Sequence, residues 1–337
     1  MATPALISKP AAGSASSAAA ASVRTPKPDK LWLHVFLLLL TMLSTTLIGM
    51  RYQFNFSQGR FPLASDADVF PYEWTLHHLN RFWTGLPFSC TLLAILLAHE
   101  FGHYFAARRY NVRATLPFML PAPSLSGTAG AVIRLKSRIR SRAALLAIGA
   151  WGPIPGFCVA VVTTVLGYCL SRPLNHPPQQ LVELNPPLLM RLMDHALSGV
   201  THHAADAPLL WHPVLVASWI GLLITSLNLV PAGQLDGGHI LYSVSPRVHR
   251  LVTYASITVL AYLAVTDWLG WLLWIGLLLL PGMRHPAVQD DSRLSPRQRL
   301  LPPIALVIFL LCANATPIRN NSLYDVLQSH HMNLAAK

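Results

Sequence analysis

His99-Glu100-Phe101-Gly102-His103 lies inside an apolar run that begins near Trp83 and ends at Arg108-Arg109. On a helix, positions i and i+4 share a face, so His99 and His103 present two imidazoles to one metal ion, with Glu100 one step round. Packing alone explains Glu100 poorly. It is one of three glutamates in a chain with fifteen histidines, and no other acid occurs between Glu73 and Glu183. An ionisable group inside a membrane segment costs about 2.5 to 3.5 kcal/mol on insertion scales. A carboxylate between two imidazoles in such a segment therefore points to a site.

The segment is read as a membrane span because of the composition around it. Hydrophobic residues make up 53% of the 337 and charged residues 11%, against about 25% charged in an ordinary soluble domain. The chain is expected to be an integral membrane protein. Its formal net charge of +12 does not imply nucleic acid, because the basic residues are spread over short loops with no basic face or aromatic-basic repeat. Cys90, Cys158, Cys169 and Cys312 fall in or beside apolar segments without C-x-x-C pairing. That excludes a disulfide framework and a thiolate zinc site.

Outward from the motif, a span needs about 20 apolar residues. Such segments lie near 31 to 50, 83 to 107, 143 to 170, 212 to 230, 249 to 266, 268 to 282 and 301 to 318. The fifth and sixth are short and divided by Asp267 and Gly270, which leaves six or seven spans. Residues 1 to about 30 are Ala, Ser and Pro rich and read as a disordered tail; their acid-poor composition also fits an organellar transit peptide. With the N-terminus inside and seven spans, 18 of the 25 Lys and Arg fall on the inner side, eight of them in residues 108 to 142. Basic residues favour the cytoplasmic side. The motif is thus expected near the cytoplasmic face, with Glu100 about 12 Å in from Arg108. The membrane expected is a bacterial inner membrane or an organellar equivalent.

Residues 112 to 140 break the helical pattern with Pro117, Pro121 and Pro123, then a small and β-branched run from Gly127 to Leu135. This run is too apolar for a solvated loop, and non-helical backbone at membrane depth survives only where protein or a water-filled cavity satisfies it. A re-entrant β-hairpin lining an active-site cavity meets that condition. Gly149 to Gly156 provides small residues for close helix approach and two prolines for a kink, a packing role without chemistry. The 171 to 211 loop is Pro rich and outside. Its His202-His203 pair, like His77-His78 and His330-His331, is expected to be interfacial or solvated.

The H-E-x-x-H pattern is that of zinc hydrolases and supplies two ligands, whereas a catalytic zinc usually takes three and a water. Asp236, the only acid between Asp206 and Asp267, is the natural third. It follows the fourth span in Asn228-Leu229-Val230-Pro231-Ala232-Gly233-Gln234-Leu235-Asp236-Gly237-Gly238-His239. Pro231 and Gly237-Gly238 are expected to break the helix there and free backbone. His239 is a competing ligand that the sequence gives no reason to prefer.

Together these motifs resemble the site-2 proteases, the M50-type intramembrane zinc metalloproteases. The likeness rests on His99 to His103 and on Asn228 to Gly237, an N-x-x-P-x-x-x-x-D-G pattern. The Gly127 to Ile133 stretch and the Gly152-Pro153 helix look like members without a PDZ domain, including the chloroplast branch and bacterial relatives. It covers roughly residues 83 to 240. The resemblance implies one zinc per chain on His99, His103 and Asp236, Glu100 as general base, and hydrolysis of transmembrane helices of other membrane proteins within the bilayer. Asn228, Gly127 and Gly130 are the expected substrate contacts.

The expected fold is an all-α polytopic membrane protein with six to seven transmembrane helices and the re-entrant hairpin. It divides into a tail (1 to 30), a first helix and outer loop (31 to 82), the metalloprotease core (83 to 240) and C-terminal helices (241 to 337). Two other functions fit the sequence less well. A di-iron oxidase needs H-x-x-H-H boxes, which the HH pairs here lack, and a non-catalytic homologue that binds membrane proteins would not need all four site residues.

Overall fold

The computed structural model describes residues 30–65, 68, 70–174, 183–201, 208–279, 288, 290 and 293–319. The sequence's tail up to residue 29, His202-His203 and His330-His331 lie outside the described residues. The fold is mostly helical, and among the described residues four helical stretches are long and apolar enough to cross a membrane: Leu31–Ser57, Leu79–Arg109, Arg142–Leu170 and Pro246–Thr266. Leucines and valines such as Leu251 and Val162 face outward, as lipid contact requires of a membrane protein.

The first of these is α1 (Leu31–Ser57). A short α2 (Tyr72–His77) and a tight turn over Leu79–Gly85 lead into α3 (Leu86–Arg109). Pro87 sits in the first turn of α3, where its missing N–H costs no hydrogen bond. The other end closes at Asn111, whose φ of 54° is left-handed. There Val112 N–H donates to Ala107 O and Asn111 N–H to Arg108 O, a Schellman cap that satisfies the last carbonyls and packs Val112 against Ala107. α1 and α3 approach closely where Gly49 faces Gly85 and where Thr45 and Ser89 hydroxyls meet at 2.6 Å. Small residues with interhelical hydrogen bonds are the usual adhesive between membrane helices.

Next comes an antiparallel hairpin of β1 (Phe118–Pro121) and β2 (Thr128–Val132), with Phe118 opposite Val132 and Pro121 opposite Thr128. It is bound along α1: Ser44 Oγ donates to Gly127 O at 2.6 Å, Tyr52 OH to Leu125 O at 2.7 Å, and His34 Nδ1 lies 3.1 Å from Pro117 O.

The third long stretch is two helices, α4 (Arg142–Trp151) and α5 (Pro153–Leu170), with the break at Gly152-Pro153. Ser141 caps α4 by accepting from Ala144 N–H. The 171 to 211 region, expected as a loop, contains α6 (Leu188–Thr201) and three two-residue strands, β3 (Arg172–Pro173), β4 (Glu183–Leu184) and β5 (Leu209–Leu210). β3 pairs with β5, and β4 pairs with β6 (Ile318–Arg319) from the far end of the chain. Strand pairs therefore accompany the helices beyond the one hairpin expected.

α7 (Pro213–Asn228) has 16 residues, about 24 Å of helix, and stops three residues before Pro231. It packs against α3 and α5 at the centre of the core, with Gly221 facing Ile95 and Gly167 facing Leu215. α8 (Asp236–Val244) follows and lies on α4. Gly237 and Gly238 do not break this helix but form its first turn. A Cβ at Gly237 would overlap Leu229 O, and one at Gly238 would stand 2.5 Å from Gly233 O, so bare backbone is what lets α8 nest on the turn before it. Arg142 donates from Nη2 to Val244 O at 2.8 Å and from Nε to Ser243 O, capping the other end of α8. α9 (Pro246–Thr266) packs on α8 and is followed by α10 (Trp271–Leu279) and α11 (Leu301–Cys312). The sequence's spans at 212 to 230 and 301 to 318 are thus represented by helices shorter than the full bilayer crossing expected of them, and the described part of the span at 268 to 282 is α10.

Candidate metal centre

α3 carries His99 and His103 one turn apart, ring centroids 4.9 Å from each other and both buried. The space they occupy is left by glycines at the α4–α5 break and on α5. A Cβ on Gly152 would overlap the His103 ring, and one on Gly156 would stand 3.0 Å from His99 Cβ. His103 Nδ1 lies 2.7 Å from Ile148 O. A carbonyl only accepts, so Nδ1 carries the proton and the Nε2 lone pair is turned into the site.

Asp236 comes from the other half of the chain. Its carboxylate stands at the start of α8, where the helix dipole favours negative charge, and Oδ2 lies 3.1 Å from His99 Nε2 and 3.2 Å from His103 Nε2. Three donors about 2.0 to 2.1 Å from one tetrahedral zinc stand about 3.3 to 3.4 Å apart. The observed separations are close to those edges, and two imidazoles with one carboxylate are a donor set of catalytic zinc sites, with the fourth position open to water. The residues fit the metal.

Glu100 is buried beside them, with its carboxylate and the two imidazoles offering atoms within 4.8 Å of one another. The backbone N–H of Ile133, one residue beyond β2, lies on the side of this carboxylate. Asn228, the last residue of α7, brings Nδ2 to 3.4 Å from His99 Nε2. Five of the residues singled out from the sequence, His99, Glu100, His103, Asn228 and Asp236, therefore meet in one place. His239 has its Cβ beside Gly149.

The two hairpin glycines divide. Gly127 (φ +76°) is wedged on α1, where a Cβ would stand 2.7 Å from Ser44 O; Gly130 (φ +101°) has no atom within 4 Å of where a Cβ would be. The sequence reading missed Gly149, Gly152 and Gly156 as site residues and took them for packing alone. Their i, i+3, i+7 spacing was the available signal, since it lines one helix face. The Ile148 carbonyl left none, because any residue supplies one.

A metal-competent donor set held between apolar helices defines a membrane protein built around a metal centre. The sequence profile of Peptidase family M50 matches residues 87–266, more than half of the chain, and the chain belongs to that family. It is 31% identical over 310 residues to the probable zinc metalloprotease EGY1, chloroplastic, of Arabidopsis thaliana, covering 86% of this chain and 54% of that protein. The EGY1 protein of Oryza sativa subsp. japonica is 31% identical over 241 residues (65% and 39%). The probable zinc metalloprotease EGY2, chloroplastic, of Arabidopsis thaliana is 29% identical over 197 residues (56% and 34%). The chain spans about half the length of the first of these relatives and less of the others.

Proposed function

We propose that the protein is a zinc metalloendopeptidase that hydrolyses peptide bonds within transmembrane helices of other membrane proteins. The observation that carries this reading is the convergence of His99 Nε2, His103 Nε2 and Asp236 Oδ2 beside Glu100, buried among helices of membrane length. His99, His103 and Asp236 hold the ion. When bound, zinc polarises the scissile carbonyl and brings the pKa of a coordinated water towards 7.

Glu100 takes the proton from the attacking water and passes it to the leaving amine. Ile133, just past β2, stands beside that carboxylate, so the end of the hairpin borders the base. Asn228, with its amide beside His99, holds the substrate carbonyl or the oxyanion that develops from it. An intact substrate helix hides its amides in its own hydrogen bonds and must unwind before attack. Among the described residues β2 pairs only with β1, which leaves its other edge for strand addition by the unwound segment. Gly130 lies on that strand with open space above it, while Gly127 contributes by fixing the turn on α1.

In the full reading the hairpin is re-entrant, six or seven helices cross the bilayer, and the site opens towards the cytoplasmic face of a bacterial inner membrane or the equivalent face of an organelle. The excess of Lys and Arg in residues 108 to 142 supports that orientation, and the names of the relatives favour the organellar setting. The test is Glu100→Gln, reconstituted with a model transmembrane substrate containing Gly or Pro in its helix. Cleavage should be abolished with zinc still bound, because the base is removed and the ligands stay. Wild-type turnover by the zinc-loaded variant would refute the assignment, and a wild-type protein free of zinc yet active would refute the class.

A further inference from the structure

We infer that His249 and Thr253 on α9 are positioning residues for the metal centre, holding the Gly233 turn so that Asp236 reaches the ion. The inference rests on the zinc reading above and adds two residues that touch neither metal nor substrate.

Gly233 precedes Asp236 by three residues and has a φ of +56°. Its N–H donates to Thr253 Oγ1 at 3.2 Å, and its C=O accepts from His249 Nε2 at 2.9 Å. These two groups belong to successive peptide planes on either side of one Cα, so gripping both sets φ and ψ of that glycine. Glycine has the widest conformational range of any residue and is the one most in need of such a restraint.

The clamp is itself well determined. His249 and Thr253 are one helical turn apart, 3% and 1% exposed, and Thr253 Oγ1 donates its own hydrogen to His249 O at 2.8 Å. Its lone pairs are therefore presented to Gly233 N–H. The Tyr242 ring stands edge-on to the His249 ring, 5.4 Å between centroids. Gly238 closes the arrangement from the other side, since only a missing Cβ lets the first turn of α8 rest on Gly233 O. The turn between α7 and α8 is thus held between α9 and α8, and Asp236 leaves it towards His99 and His103. Residues that orient a ligand without touching the ion typically change metal affinity 10- to 100-fold when lost.

The experiment measures the apparent zinc affinity of the full chain in detergent by chelator competition, with the absorption spectrum of the cobalt-substituted protein and the melting temperature of the metal-free protein. Thr253→Val keeps the shape and loses the acceptor; Thr253→Ser keeps it. Zinc affinity should fall about 10- to 100-fold in Thr253→Val and stay within about threefold of wild type in Thr253→Ser, with a shifted cobalt spectrum in the first alone. His249→Leu and His249→Gln form a second pair with the same expectation, should Thr253→Val fail to fold. Wild-type zinc affinity in the valine and leucine variants overturns the inference, as do losses in the serine and glutamine variants equal to theirs. A wild-type chain that binds no zinc would instead refute the metalloprotease reading on which the inference rests.

Discussion

Replacing Gly152 by alanine should damage the metal centre without touching any ligand. The added Cβ would overlap the His103 imidazole, with its three nearest contacts all ring atoms. Each would lie at least about 1 Å inside a normal carbon contact of about 3.5 Å. Because His103 Nδ1 is tied to Ile148 O, the ring cannot slide away without losing that bond. Overpacking of this kind costs about 1 to 3 kcal/mol, and at about 1.4 kcal/mol per factor of ten zinc affinity should drop roughly 10- to 100-fold. Gly156→Ala is the internal control: its Cβ would meet His99 Cβ at 3.0 Å and Nδ1 at 3.3 Å, which a few tenths of an ångström relieve. Zinc retained after dialysis against graded chelator, read by elemental analysis, should rank wild type, then Gly156→Ala, then Gly152→Ala. Equal retention by Gly152→Ala and wild type would refute the claim that glycine is there to make room for the ligand.

Asp236→Ala should leave two imidazoles and lose zinc by at least about a hundredfold, measured by the same dialysis; full occupancy would transfer the third ligand to His239. Asp68, outside the spans, pairs with Arg51 at 2.5 Å. Burial alone would raise its pKa, but hydrogen bonds from Arg51, Asn55 and Ser65 outweigh it and hold the carboxyl below its ordinary 3.8. The pair's stabilisation is therefore present above about pH 4 and lost as pH falls below it. Asp68→Asn should lower the melting temperature at pH 7, and the gap to wild type should narrow as pH falls below about 4; a constant gap in thermal scans would contradict this. In a cysteine-labelling experiment, an impermeant reagent applied outside should modify Gln180→Cys but not Arg138→Cys, and the reverse pattern would invert the proposed orientation.

The proposed metal donors were legible in the sequence because their chemistry restricts them to a few residue types, and a lone acid in an apolar segment is conspicuous. His99 and His103 follow from helical spacing, and Asp236 stands out as an isolated acid after the fourth apolar segment. Residues that act through backbone or through absence were not legible. The Ile148 carbonyl has no sequence signature, and Gly152 reads as packing until the ring it accommodates is seen. The β1–β2 hairpin was legible as a break in the helical pattern followed by a β-branched run, but the bounds of β1 were not, because Pro117 and Pro121 bracket its few residues. α6 was masked by the prolines around it, although Leu188, Leu189, Leu192 and Met193 follow helical spacing. Gly237-Gly238 misled because glycine's low helix propensity was given more weight than the close approach that tertiary packing requires there.

The 137 residues between His99 and Asp236 also set a clock during synthesis. At roughly 5 to 20 residues per second, α3 emerges about 7 to 27 s before the chain reaches the third proposed ligand. Through that interval the ribosome-attached protein holds two imidazoles and the proposed general base but not the third proposed ligand. On the proposed function, neighbouring helices sharing the insertion machinery then lie beside a protease that is not yet able to cut them. On the proposed assignment, a last ligand on a late helix makes assembly of the bundle the condition for activity.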